Sequence, residues 1–200
     1  MLLAGLFAGT LLLGMILADW VQFTRLTAGA SRYGCPIGHG EEPIALAQSR
    51  GWPAPFNTQG ILTLPHGVAR FFPEDDCILI RPRTRRFRTA WPMNGSIKIA
   101  HDGDTARLSW VKRVPWSSAI ITLVWFAVVV VGTVSFAIRF MIDGGLSTLS
   151  GILMAGGIAG IGLLVLAFGL VTVSLAYRLE EYYLLRAYQE LRHALAQDDE

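Results

Sequence analysis

Three long stretches without one ionisable side chain divide the chain: Leu2–Ala18, Ser117–Ile138 and Ile152–Ala176. A helix needs about 20 predominantly apolar residues to cross the roughly 30 Å hydrocarbon core of a bilayer. The pattern therefore predicts an α+β membrane protein with three transmembrane helices, over 1–19, 115–140 and 151–177. The polar part of the chain lies mainly between the first two.

Residues 20–59 carry Gly34, Pro36, Gly38, Gly40, Pro43, Gly51, Pro53 and Pro55. This density of backbone punctuation reads as an irregular arm, with a short helical look only at Glu42–Arg50. So long an arm with few apolar groups predicts ordering by another protein, with Tyr33, Trp52 and Phe56 as anchors. From Gly60 onward the period changes to two. Strand candidates are Gly60–Leu64, Val68–Phe72, Cys77–Arg83, Phe87–Ala90, Gly95–His101 and Thr105–Val111, short and separated by turn formers. Ile97 and Ile99 alternate with Lys98, and Leu108 and Trp110 with Arg107 and Ser109, so one face packs and one is wet. Residues 60–114 thus predict a small antiparallel β-domain, with turns at Pro73–Asp76 and a hairpin at Asp102-Gly103. Beyond the third apolar run, residues 178–200 form a charged helical tail. Its stripe of Leu184, Tyr188, Leu191 and Leu195 has helical spacing and needs cover, from a neighbour or from the chain's own β-domain.

Composition sharpens the picture at two points. Charged residues make up 16% of the 200 residues, against about 25% in an average soluble domain, and the apolar runs account for the deficit. The net charge is only +2, yet 13 of the 17 Lys and Arg residues fall between Arg25 and Arg113. Between the second and third runs only Arg139 is basic, offset by Asp143. The positive-inside rule then places the β-domain and tail in the cytoplasm and the amino terminus outside, most simply in a bacterial inner membrane. Cys35 and Cys77 would stay reduced there. No basic residue precedes the first run, so it reads as a retained anchor rather than a secretory signal. Trp20, Phe23, Trp116 and Tyr177 occupy the positions where aromatic rings settle at a membrane interface.

Candidate chemistry is sparse. The sequence holds no G-x-S-x-G, no P-loop, no H-E-x-x-H and no C-x-x-C, the motifs whose spacing would place a nucleophile, a phosphate cradle or a metal. Cys35 and His39 offer one pair of zinc ligands where a structural site takes four; Cys77, His66 and His101 would have to complete the set, and the pair reads as a loop thiol and a solvated imidazole. Asp75/Asp76 and Asp102/Asp104 sit in expected turns, where carboxylates bond their own backbone. No histidine lies in an apolar run, which argues against cofactor ligation at membrane depth, and no ionisable group there offers an ion path. The sequence therefore predicts no enzyme activity, no metal, no cofactor and no nucleic-acid partner.

What remains points to contact. Arg81, Arg83, Arg85, Arg86 and Arg88 form a basic cluster suited to anionic lipid or an acidic partner. Gly156 and Gly160 put small residues on one helix face, where a second helix can approach closely. The expectation is a non-catalytic accessory or structural subunit of a larger membrane complex, respiratory, photosynthetic or transport in type. The alternative is a membrane-anchored regulatory or anionic-lipid-binding protein acting through its basic β-domain.

Overall fold

The computed structural model describes residues 2–45, 55–83, 91–102 and 105–196. The chain is α+β and forms two compact units, Met1–Ser118 with Arg178–Glu200, and Ala119–Tyr177. The elements run α1 (Leu2–Thr24), α2 (Ala28–Arg32), β1 (Cys35–Ala45), β2 (Ile61–Thr63), β3 (Gly67–Phe72), β4 (Cys77–Pro82), β5 (Asn94–Asp102), β6 (Thr105–Val114), α3 (Trp116–Ile142) and α4 (Leu149–Ala196).

In the first unit the strands make one six-stranded sheet in the order β1-β6-β5-β4-β3-β2, every pair antiparallel. Burial alternates along β3, along β5 from Ile97 to Ala100 and along the described side chains of β6, whereas β4 buries Cys77–Ile80 without a break, as a strand covered on both faces does. The β5–β6 pair runs to Asp102 opposite Thr105, as a two-residue hairpin connection requires, although residues 103 and 104 lie outside the described residues. So does the expected strand Phe87–Ala90.

The arm differs from its expectation. Its described part holds α2, capped by the Thr27 hydroxyl on the Ala30 amide, and the 11-residue strand β1. Glu42–Ala45, expected to begin a helical turn, is strand instead. Pairing supplies what composition lacks: β1 matches β6 from Cys35 opposite Val114 to Ala45 opposite Thr105. Prolines 36 and 43 are tolerated because β1 is an edge, where a missing N–H breaks no ladder. Gly38 and Gly40 leave room for the Trp110 ring. This stretch is therefore ordered by the chain's own sheet.

The two faces of the sheet are covered differently. On one, the α4 segment Arg178–Ala196 packs with Leu184, Ala187, Leu191 and Leu195 buried. The cover for the tail stripe is thus the β-domain itself. Each buried leucine contributes about 1.5–3 kcal/mol relative to exposure. Approach is closest at Gly67, where an added Cβ would stand 2.7 Å from the Ala187 Cβ and 3.0 Å from the Arg81 carbonyl oxygen. On the other face sit α2 and the end of α1. Here Gly34 is needed twice over: its φ is +110°, and a Cβ would meet the Val114 carbonyl oxygen at 2.8 Å. Phe23, expected at an interface, is buried and meets Tyr33 edge-on with centroids 6.4 Å apart. Trp20 and Trp116 are exposed.

The second unit is a helical hairpin of α3 from Ala119 and α4 to Tyr177, joined through a 3-10 turn at Gly145–Ser147. Helices α3 and α4 are long and apolar enough to cross a membrane, and their apolar stretches are almost entirely unburied within the chain. The apolar stretch of α1, Gly9–Thr24, is shorter than those of α3 and α4. Gly162 and Gly169 are buried where α4 meets α3, against Thr133 and Trp125. Gly156 and Gly160 have nothing within 4 Å of an added Cβ.

Gly67→Val tests the helix-on-sheet packing. Forcing extra volume into a filled contact costs about 1–3 kcal/mol, and the loss should appear in detergent-phase denaturation, with Val68→Thr, at a half-buried neighbour, costing less.

Candidate functional site

The buried polar groups of the first unit converge where helices begin and end. Helix α3 starts at Trp116, directly after Pro115. A helix start leaves amides without partners, and a proline side chain cannot cap them. Asp19, near the end of α1 and 3% exposed, supplies the acceptor: its Oδ2 takes the Ser117 amide at 2.5 Å. Its Oδ1 takes the Tyr33 hydroxyl at 2.6 Å. A carboxylate at a helix amino terminus also meets the positive end of the helix dipole. Burial first, then the hydrogen bond and negative charge of Asp19, pushes the Tyr33 phenol up to about 12.

The end of α1 has the complementary problem, unpaired carbonyls. Arg81 from β4 donates to the Thr24 oxygen at 2.5 Å and the Phe23 oxygen at 3.4 Å. Arg70 from β3 donates to the Leu26 oxygen at 2.6 Å. Cations at a helix carboxyl terminus are favoured on the same dipole grounds. Asp19, Arg81, Asn94 and Glu180, the last 3% exposed, line a cavity of about 230 Å³ beside this junction.

A second polar set fastens the tail to the sheet. Lys112 Nζ bonds Glu181 Oε1 at 2.6 Å and lies 4.9 Å from the Trp110 ring centre. Glu42 receives Arg192 at 2.9 Å and the Tyr188 hydroxyl at 3.2 Å. Glu190 grips the His66 ring, and its other oxygen accepts the His66 amide at 2.9 Å. Burial, then Glu42, raises the Tyr188 phenol to about 12.

Several predicted contact residues thus have internal duties. Arg81 turns to the α1 carbonyls. Phe56 is buried with its ring 5.8 Å from that of Phe71. Leu184, Leu191 and Leu195 are core, and Tyr188 bonds Glu42. Arg83 is exposed. Arg85, Arg86, Arg88 and Trp52 lie outside the described residues. Gly156 and Gly160 are open. Tyr33, expected to anchor the arm on another protein, bonds Asp19 within the chain, while Asp19, Lys112, Glu180, Glu181 and Glu190 are not among the expected site residues. For Asp19 one signal existed: a helix start at Pro115-Trp116 with no capping side chain before it needs an acceptor from elsewhere.

Cys77 is buried, and desolvation raises its thiol above the ordinary range, opposed by a hydrogen bond from Ser31. Cys35 is partly exposed on the edge strand. Among the described residues no group of three His, Cys, Asp or Glu side chains is placed to hold a metal ion. No family description, no curated protein and no solved structure matches this chain.

Two outcomes follow. Asp19→Ala leaves the Ser117 amide and Tyr33 hydroxyl without their acceptor. Each unsatisfied buried group costs about 1–3 kcal/mol, so chemical denaturation should show a loss at the upper end of single-residue effects, and Asp19→Asn a smaller one. For pH, both phenols titrate higher folded than unfolded, where tyrosine ionises near 10. Their stabilising share is therefore intact below about pH 10 and lost as pH rises toward about 12. Tyr33→Phe should remove part of that alkaline loss and Tyr33→Phe with Tyr188→Phe more of it, as measured by unfolding free energy against pH.

Proposed function

We propose that this chain is a non-catalytic accessory subunit of a larger integral membrane complex. In this reading α1, α3 and α4 cross the membrane, the amino terminus faces outward, and the sheet and tail lie in the cytoplasm. The observation that carries the reading is the division of labour among residues. The buried polar groups described above are spent on joining helices to the sheet. At Gly156 and Gly160 of α4, by contrast, an added Cβ would meet no described atom within 4 Å. In a bilayer, helices associate by close packing, and small residues permit the backbones to approach. The same helix already shows that use at Gly162 and Gly169, against α3. Two long, exposed, apolar helices support the membrane setting.

The glycine pairs give a clean test. Both Gly156 and Gly160 are exposed and open at the Cβ position among the described residues, so the purified Gly156→Leu, Gly160→Leu variant should keep its melting temperature. In native-detergent copurification it should lose its partners. Gly162→Leu with Gly169→Leu should instead destabilise the isolated chain. Full retention of every partner by the first pair of substitutions would remove the assembly role. The topology has its own readout: an impermeant maleimide should label Cys35 only after cells are opened, and labelling in intact cells would reverse the orientation.

A further inference from the structure

We infer that the cavity at the α1–α3 junction holds the headgroup of an amine-bearing phospholipid, of the phosphatidylethanolamine class. The inference rests on the membrane reading above. The cavity is about 230 Å³, room for several water-sized groups. Its lining comes from the end of α1, the start of α3, Glu180 at the beginning of the tail, and Arg81, Pro82 and Pro92–Asn94 of the sheet. The first three of these flank apolar runs in the sequence. Three separate chain exits therefore put the cavity at the level where headgroups lie.

Its chemistry is zwitterionic. Asp19 and Glu180 are each 3% exposed, and Arg81 carries the opposite charge on the same wall. A carboxylate accepts about four hydrogen bonds, and Tyr33 and Ser117 provide two to Asp19. A primary ammonium donates three and suits carboxylate walls. A trimethylammonium donates none, and a glycerol headgroup brings no cation. Arg81 already donates through one guanidinium nitrogen to the Thr24 and Phe23 carbonyls, so its part toward the adjoining phosphate diester is its positive charge on the cavity wall. Ile16 and Trp20 also line the cavity and are 40% and 64% exposed, so the border is apolar, as an acyl-chain-bearing ligand requires. That border favours a lipid over a soluble ethanolamine phosphodiester.

The test uses the full chain, purified in detergent and reconstituted in nanodiscs of equimolar phosphatidylethanolamine, phosphatidylcholine and phosphatidylglycerol. Lipids retained on the protein are counted by native mass spectrometry, and glycerophosphoethanolamine is titrated separately as the soluble probe. The expected result is at least tenfold retention of phosphatidylethanolamine over the other two, reduced to near parity by Glu180→Gln. Trp20→Ala, at an exposed position that leaves folding intact, should lower retention severalfold. Equal retention of the three lipids, retention of none, or selectivity untouched by both variants overturns the assignment. Saturable binding of glycerophosphoethanolamine without lipid selectivity overturns it in favour of a soluble ligand. A chain that stays in solution after detergent-free lysis defeats the membrane reading itself, and is recognised before any lipid is counted.

Discussion

A helix that starts or stops inside a folded unit leaves backbone groups without partners, and the junction of α1 and α3 in the first unit brings together one of each. The Asp19 carboxylate answers the amides at the start of α3, and the Arg81 guanidinium answers the carbonyls at the end of α1. Both helices are apolar and offer little else for fastening to a polar sheet. Asp19 belongs to α1 itself, so one carboxylate ties two helices that are 98 positions apart in sequence. Through Tyr33 it also holds the residue that leads into β1. Without this junction the helix ends would need water, and the sheet would lose its fixed connection to them.

The tail works on a different principle. Leucines supply most of the energy of packing on the sheet, while ion pairs set where the helix lies. Lys112 is only 11% exposed and its partner Glu181 29%. Breaking such a pair by removing one partner costs about 3–5 kcal/mol, although a buried pair gives little net stability against an apolar replacement. Its role is therefore registration. With the hydrogen bonds and contacts of Glu42 and Glu190, the Lys112–Glu181 pair permits one rotation of the helix against the strands.

Much of this fold can be read from the chain. Strands β3, β5 and β6 announce themselves through alternation, and β4 as a short continuous apolar run between turn formers, both of them local signals. The apolar runs do the same for α3 and α4. Strand β1 does not, because its glycines and prolines read locally as loop. Its order comes from pairing with β6 some 70 residues later, and from the glycines that make space for Trp110. The arginine cluster misleads for a related reason. Charge shows that Arg81 is polar, but not that two helix carbonyls lie within its reach. Asp19 is hardest to see, since an aspartate ending an apolar run looks like a simple boundary. Among the glycines of α4, spacing picks out Gly156 and Gly160, and only the structure separates them from Gly162 and Gly169, which already face α3.

The most direct measurement is amide hydrogen exchange at Ser117 in the wild-type chain. An amide in the first turn of a helix has no intrahelical acceptor and ordinarily exchanges fast. If Asp19 holds the start of α3, the Ser117 amide is protected to the level of the Ile97 amide in the centre of the sheet. Exchange at the rate of a frayed helix start would contradict the junction on which the helix–sheet arrangement depends.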